Sequence, residues 1–322
     1  MIQRRGRGAA SHSEGDGFMA GKKIIILVAP TGNQKDREGS HIPVTPDEIA
    51  EESFRCYKAG AAVVHIHARD PQTRLASGDM KIFGESIRKI RERSDILVQT
   101  TTSLGLKQDP VTRQWVWHSS EERMGLLAID PPQDLLSCAM GSWEFIHPEG
   151  GQGNPSTQVN GYEFMKKNIS AMVRKNLPWE MEIADTGFLQ NAARLADDGV
   201  FDGKANNFWL DYVMGFGGMP ATPRQLVFMM EEGQRLFPQA KWETNATGYD
   251  QFRMNILGAA LGCDIVRVGF EDSVYLPNGK QAKNNYEQVE AMAELADKLG
   301  REIATPAQAW EILGGSQRGR VA

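Results

Sequence analysis

The chain has few cysteines, no long apolar run and no excess of basic residues, and each of these absences excludes a class of protein. Cys56, Cys138 and Cys263 are far apart and form no CxxC pair, which argues against a disulfide framework and a thiolate zinc site. No apolar run approaches the roughly 20 residues of a membrane-spanning helix. The 322 residues carry a net charge of −5, and no strongly basic stretch follows the N-terminus. We therefore expect a soluble, cytoplasmic protein that binds neither nucleic acids nor membranes.

Residues 1–20 differ from the rest of the chain. They are polar and glycine-rich and show no hydrophobic periodicity. Their basic residues are not followed by an apolar segment, so this stretch lacks the pattern of a signal peptide. We expect a disordered N-terminal tail over residues 1–20 and a single folded domain over residues 21–322.

After the tail, short β-branched runs alternate eight times with amphipathic helical segments. The predicted strands are residues 24–29, 62–67, 96–101, 135–139, 179–184, 208–214, 241–245 and 265–269. Thr45-Pro46-Asp47-Glu48 and Thr222-Pro223 are helix-start signals, and Gly60 ends the first helix. This alternation predicts an α/β fold, a (β/α)₈ TIM barrel. The rival is a doubly wound open sheet, but Pro30-Thr31-Gly32-Asn33 is not the Gly-rich dinucleotide turn expected after its first strand.

The second predicted strand ends in His65-Ile66-His67. Side chains at i and i+2 on a strand share one face, so both imidazoles point the same way. They can bind one metal ion together, although a pair of buried core histidines is the alternative. In a closed barrel strand eight adjoins strand one, which brings Glu271 across the mouth as a third ligand. Two histidines and a carboxylate suit Zn²⁺ or a similar divalent ion.

Other polar residues are predicted at the same end of the barrel, where the active sites of such folds lie. Arg267 alternates with apolar residues inside strand eight, and a guanidinium facing the interior needs a carboxylate partner, either Asp272 or Glu182. The others are Thr31, Gly32, Gln34, Arg69, Asp70, Gln99, residues 100–103, Ser137, Glu180, Asp185, residues 215–219, Glu243, Asn245 and Thr247. Two long connections, residues 107–119 and 141–161, are candidates for lids, specificity loops or subunit contacts.

Other histidine-rich or lysine-based barrels fit this chain poorly. Hydrolases with His-x-His on strand one need histidines on strands five and six, and no histidine follows His147. Lyases with His-x-His on strand seven are excluded by position. Schiff-base aldolases need an interior lysine near a strand end, whereas Lys241 begins its strand.

Six short motifs together are typical of one family. They are Pro-Thr-Gly (30–32), Val-Thr-Pro-Asp-Glu (44–48), His-Ile-His-Ala-Arg-Asp (65–70), Gly-Phe-Gly-Gly-Met (215–219), Arg-Val-Gly-Phe-Glu-Asp (267–272) and Ala-Thr-Pro-Ala-Gln-Ala (304–309). Through these motifs, the chain resembles the β-keto acid cleavage enzymes of the 3-keto-5-aminohexanoate cleavage enzyme type over about residues 23–314.

The resemblance implies a (β/α)₈ barrel with one Zn²⁺ held by His65, His67 and Glu271. It also implies a homotetrameric acyltransferase that condenses a β-keto acid with acetyl-CoA, giving acetoacetate and a new acyl-CoA. Carried over by position, Arg267 and Asp272 are the dyad that handles the substrate proton.

The resemblance also implies the residues that bind substrate. Thr101 and Ser137 match hydroxyl positions that contact the keto acid, and Glu182 matches an acidic position. Gln34 replaces an acid found in the aminohexanoate enzyme, which argues against a cationic substrate although Glu182 remains. Two other hypotheses stay open: a metal-dependent carbon–carbon lyase or aldolase that does not use CoA, and a non-enzymatic barrel with a structural metal.

Overall fold

The computed structural model describes residues 22–32, 38–144 and 157–316, in which eight parallel strands form a closed barrel. The strands are β1 (Ile25–Val28), β2 (Val63–Ile66), β3 (Leu97–Thr100), β4 (Leu135–Ala139), β5 (Trp179–Ile183), β6 (Phe208–Met214), β7 (Lys241–Ala246) and β8 (Ile265–Val268). Each agrees with its predicted strand to within one residue at either end. The predicted TIM barrel is confirmed, and the open sheet is wrong because β1 pairs with β8. The tail predicted over residues 1–20 lies outside the described residues.

Helices surround the barrel. Within the described residues they are α1 (Pro46–Ala59), α2 (Met80–Arg91), α3 (Ser120–Met124), α4 (Tyr162–Lys175), α5 (Thr186–Asp197), α6 (Pro223–Leu236), α7 (Gln251–Leu261), α8 (Asn285–Lys298) and α9 (Pro306–Ile312). The predicted start signals are confirmed: Thr45 and Glu48 form a capping box on α1, and the Thr222 side chain accepts from the backbone of Gln225 on α6. A cap of this kind contributes about 1 kcal/mol to helix stability.

The N-terminal end of the barrel is filled with apolar side chains. The buried cluster at this end includes Ile25, Val63, Leu97, Leu135, Trp209 and Ile265, together with Trp310 and Leu313. Most of these residues stand at or near the start of their strands, so this end of the barrel is closed by packing. Polar side chains enter the interior above this apolar cluster, and the open end of the barrel is the C-terminal end of the strands, where we expect the site.

The two long connections each contain a short antiparallel hairpin. The connection predicted over residues 107–119 pairs Leu106–Gln108 with Trp115–Trp117. The connection over residues 141–161 pairs Trp143–Glu144 with Thr157–Gln158, and its middle lies outside the described residues. Among the described residues, no helix has the length and apolar character needed to cross a membrane.

A candidate metal centre at the mouth of the barrel

His65 and His67 lie side by side at the C-terminal end of β2, as predicted. Both are buried, and their ring centroids are 5.3 Å apart. Glu271 faces them from the segment after β8: its Oε1 lies 3.3 Å from His67 Nε2, and its Oε2 lies 3.8 Å from His65 Nε2. One donor atom from each of the three residues lies within 4.8 Å of the others. The structure therefore brings the three predicted ligands together.

Two glycines allow Glu271 to reach the histidines. Gly269 has φ +137°, and a Cβ there would lie 2.3 Å from the carbonyl oxygen of Ala29, so the chain after β8 passes closely over the end of β1. The Glu271 backbone N–H then donates to the same Ala29 oxygen at 3.0 Å. Gly32 has φ +52°, and a Cβ there would lie 2.5 Å from Glu271 Cγ. A side chain at either position would displace the carboxylate.

Hydrogen bonds orient the two histidines. His65 Nδ1 lies 2.7 Å from Gln99 Oε1, and the backbone N–H of His67 donates to Thr31 Oγ1 at 2.8 Å. Burial lowers the pKa of His65 to about 3, so this imidazole is neutral at physiological pH. A neutral imidazole keeps a lone pair on one nitrogen, which is the form that binds a metal.

Arg267 is the cation of the site, and its partner is Asp272. The guanidinium Nε donates to Asp272 Oδ2 at 2.7 Å, its terminal nitrogen donates to Asp272 Oδ1 at 3.1 Å, and the same nitrogen lies 3.0 Å from Glu271 Oε1. Burial raises the pKa of Asp272 to about 6, although Arg267 opposes this rise. For Glu271, Arg267 and the two histidines outweigh the effect of burial and hold the pKa well below its usual value. Glu271 is therefore ionised.

The predicted substrate-binding residues lie at the ends of neighbouring strands. Thr101 follows β3, and Ser137 lies on β4; both are buried. Glu182 lies on β5, where burial raises its pKa and the nearby Arg267 guanidinium lowers it. The Thr101 hydroxyl accepts from the Ser103 backbone at 2.8 Å. Gln34 lies outside the described residues.

Several residues predicted at the mouth have structural tasks instead. Asp185 caps α5 by accepting from the backbone of Gly187 and Phe188, and Asp70 accepts from two backbone N–H groups in a turn. Arg69 is buried and donates to the carbonyl oxygens of Thr31 and Gly32. These polar side chains stabilise the backbone of turns, loops and a helix cap. The sequence alone did not distinguish this structural role from binding of a substrate or metal.

A layer of three buried carboxyl groups lies in the barrel interior and was not predicted as a group. Glu180, Asp211 and Glu243 are fully buried on three adjacent strands, with donor atoms within 4.8 Å of one another. Burial raises the pKa of each, that of Glu180 to about 8. Glu180 and Glu243 had been placed at the mouth, but both stand earlier on their strands. The sequence did contain a signal for this deeper layer: Glu180 precedes Glu182 by two residues on β5, so both side chains face the same side of the strand at different levels.

The donor set at the mouth fits a zinc ion. Two imidazoles and one ionised carboxylate are ligands that Zn²⁺ prefers, and three protein ligands leave a fourth position for water or substrate. The two histidines come from the end of β2 and Glu271 from the segment after β8, and the imidazoles are buried. The carboxyl layer offers only oxygen atoms, which suits zinc less well.

Comparisons with known proteins identify relatives that match nearly the whole chain. The 3-keto-5-aminohexanoate cleavage enzyme of Fusobacterium nucleatum is 34% identical over 295 residues, which are 91% of this chain and 98% of that protein. The enzyme of the same name from Acetoanaerobium sticklandii is 31% identical over 92% of this chain and 100% of that protein. The 3,5-dioxohexanoate:acetyl-CoA acetone transferase of Paraburkholderia graminis is 28% identical over 91% of this chain and 96% of that protein.

Solved structures and a family profile complete the comparison. The apo structure of ObcA superposes with a TM-score of 0.69 at 21% identity, covering 85% of this chain. This chain spans 65% of the ObcA chain, and the likeness concerns the fold alone. Residues 23–314 match the profile of the beta-keto acid cleavage enzymes. The profile covers most of the chain, and two relatives exceed 30% identity over nearly their whole length, so the chain belongs to the beta-keto acid cleavage enzyme family.

Proposed function

We propose that this protein is a Zn²⁺-dependent enzyme that condenses a β-keto acid with acetyl-CoA and releases acetoacetate and a new acyl-CoA. The observation that carries the proposal is the contact between the predicted ligands and a dyad: Glu271 touches both His67 and Arg267, and Arg267 holds Asp272. The names of the relatives, which include a keto acid cleavage enzyme and an acetyl-CoA transferase, support the choice of substrates.

His65, His67 and Glu271 are the residues that would hold the ion. Bound there, Zn²⁺ would polarise the β-ketone oxygen and stabilise the negative charge that develops on it. With two neutral imidazoles and one carboxylate as ligands, a bound Zn²⁺ would keep one net positive charge, which would favour an anionic substrate. The buried imidazoles would shield the ketone end of a bound substrate from water.

Asp272 is the base that we assign to the substrate carbon next to the ketone. Both of its oxygens accept from the Arg267 fork, which fixes the plane of the carboxylate while leaving a lone pair on each oxygen. Because Asp272 directly follows Glu271 in the chain, the base is tied to the metal ligand by one peptide unit. A fixed base close to the polarised ketone is the arrangement that proton abstraction needs.

The carbon chemistry then balances without a side-chain nucleophile. Carbon 2 of the keto acid forms a bond to the acetyl carbon, and the thioester C–S bond breaks. The released thiolate attacks the β-ketone carbon, the bond from carbon 2 to that carbon breaks, and acetoacetate leaves with its proton returned by Asp272. The three cysteines are buried, and burial raises the pKa of Cys138 and Cys263 to about 12, so none supplies a thiolate.

Thr101, Ser137 and Glu182 are the residues that we assign to the keto acid. The two hydroxyls can donate to substrate oxygens, and Glu182 provides an acceptor on the adjacent strand. Gln34 occupies the position at which we expect this chain to differ from aminohexanoate enzymes. The substrate side chain is therefore expected to be less cationic than an aminohexanoate.

The decisive experiment is a panel of β-keto acids incubated with [¹³C₂]acetyl-CoA and analysed by mass spectrometry. The proposal requires both acetyl carbons in acetoacetate and an unlabelled new acyl-CoA. Carbon–carbon cleavage without any new acyl-CoA would favour a lyase that does not use CoA. A zinc-loaded protein that turns over no keto acid in a broad panel, including aminated and neutral members, would overturn the proposed reaction.

The zinc site has a separate test. His67→Ala is expected to lose stoichiometric zinc, measured by metal analysis after dialysis, whereas the matched control His118→Ala keeps it. His118 lies beside Glu122 in the hairpin region, away from the three donors. Equal zinc content in the two variants would refute the assignment of the ligands.

We extend the proposal, on the family resemblance, to a homotetramer that acts in the cytoplasm. Light scattering coupled to size-exclusion chromatography tests the assembly, because a tetramer has four times the 35.7 kDa mass of the chain. Fractionation of cells that produce the protein tests its location.

A further inference from the structure

Two side chains beneath the metal centre form a hydrogen-bonded chain that ends on a metal ligand. His65 Nδ1 lies 2.7 Å from Gln99 Oε1, and Gln99 Nε2 donates to Glu180 Oε2 at 2.9 Å. Gln99 and Glu180 are fully buried. The strand register supports this alignment, because His65 on β2 pairs directly with Gln99 on β3. Neither Gln99 nor Glu180 belongs to the ligands or substrate residues assigned above.

The hydrogen bonds from His65 through Gln99 to Glu180 determine which nitrogen of His65 carries the proton. Glu180 accepts from Gln99, so the amide nitrogen of Gln99 faces Glu180 and its carbonyl oxygen faces His65. A carbonyl oxygen can only accept, and therefore Nδ1 of a neutral His65 must carry the proton. The lone pair then remains on Nε2, the nitrogen that faces Glu271. The other tautomer would place two acceptors against each other in a buried interior.

We propose that Gln99 and Glu180 are positioning residues of the metal centre. Gln99 holds His65 in the Nδ1–H tautomer and fixes the direction of its ring, and Glu180 holds the Gln99 amide in the orientation that this requires. Outer partners of metal-bound histidines commonly act in this way, and their loss lowers metal affinity 10- to 100-fold. The inference rests on the zinc site of the proposed function, but not on the reaction catalysed there.

The surroundings of Glu180 indicate that its role toward Gln99 is that of a hydrogen-bond acceptor and does not require a negative charge. Its neighbours include the carboxyl groups of Glu243, Asp211 and Glu182 and the more distant Arg267 guanidinium. Burial among these carboxyl groups raises the pKa of Glu180 to about 8, so the group is mostly protonated at pH 7. A neutral carboxyl still accepts from Gln99 through its carbonyl oxygen. Glutamine at position 180 has the same shape and the same acceptor, and so it should replace Glu180.

The test measures zinc affinity in competition with a chromophoric chelator at pH 7. Gln99→Met removes the acceptor for His65 and keeps a side chain of similar length. Glu180→Met removes the anchor of the Gln99 amide, whereas Glu180→Gln keeps it. Gln133→Met is the matched control, because Gln133 is a buried glutamine that precedes β4 at the opposite end of the barrel and donates to the Leu126 carbonyl.

The expected pattern separates positioning from general packing. Gln99→Met and Glu180→Met should bind zinc 10- to 100-fold more weakly, while Glu180→Gln and Gln133→Met stay within about threefold of the wild type. Thermal unfolding of the metal-free variants shows that each is folded. A ¹⁵N NMR spectrum of histidine-labelled protein should show a protonated Nδ1 on His65 and its loss in Gln99→Met.

Two outcomes would overturn the inference. The first is wild-type zinc affinity in Gln99→Met. The second is equal weakening in Glu180→Gln and Glu180→Met, since the amide anchor would then not be what matters. If instead the proposed zinc site is wrong, the wild type itself binds no zinc, which is distinguishable from both of these outcomes. If a variant does not fold, the NMR signature of His65 in the wild type alone still decides the tautomer.

Discussion

Gly32→Ala is expected to break the metal centre without changing any ligand. The added Cβ would lie 2.5 Å from Glu271 Cγ and 2.8 Å from Glu271 Cβ. Carbon atoms normally sit about 3.5–4.0 Å apart, so the Glu271 side chain must move by about 1 Å. Zinc–oxygen bonds of about 2.0–2.2 Å tolerate deviations of only about 0.2 Å. We therefore expect Gly32→Ala to lose Glu271 as a zinc ligand.

The expected loss of zinc affinity is at least about 100-fold. Disturbing an outer partner of a ligand already costs 10- to 100-fold, and here a ligand itself is displaced. The assay is chelator competition, with thermal unfolding of the metal-free protein alongside. The backbone also contributes, because a left-handed conformation costs a residue with a Cβ about 1–2 kcal/mol.

Gly300→Ala separates these two effects. Gly300 has φ +69°, close to the +52° of Gly32, but a Cβ there would meet nothing within 4 Å. Both variants should lose the backbone contribution of about 1–2 kcal/mol in the metal-free state, and only Gly32→Ala should also displace Glu271 and lose zinc. If the two variants bind zinc equally, the reasoning from the Gly32–Glu271 contact is wrong.

Three further predictions concern the dyad and the carboxyl layer. Asp272→Asn should lower kcat by about 10²- to 10⁴-fold and leave zinc content unchanged, as measured by turnover and metal analysis. Arg267→Met leaves buried carboxylates without their cation and should lower the free energy of unfolding by about 3–5 kcal/mol in urea titrations. Glu180 has a pKa raised from 4.5 to about 8, so its stabilising contribution is complete below pH 4.5 and is lost as the pH rises toward 8. Glu180→Gln removes this loss, and its stability relative to the wild type should rise by about 1 kcal/mol per pH unit in that window.

Each of these predictions has an outcome that contradicts it. If Asp272→Asn loses zinc, Asp272 belongs to the metal site, and its assignment as the base is wrong. Wild-type stability of Arg267→Met would mean that the ion pair with Asp272 contributes little. Parallel pH profiles of Glu180→Gln and the wild type would show that Glu180 is ionised in the folded protein.

The fold could be predicted from the sequence because the signals that define its strands and helices are local. The apolar strand runs, the caps at Thr45 and Thr222 and the stop at Gly60 depend on near neighbours, and they predicted every barrel strand to within one residue at either end. The pair at His65 and His67 was equally local, because two residues on one strand must share a face. Connections were harder to predict, since the hairpins in them depend on pairing across several residues.

The tertiary structure alone decided how distant residues meet. Barrel closure let the sequence predict that Glu271 faces the histidines, but only the structure showed the close passage at Gly269 and Gly32 that sets its position. The Gln99–Glu180 chain and the carboxyl layer depend on which residues of different strands share one level of the barrel. Strand register sets that level, and register is a property of paired strands that no single segment encodes.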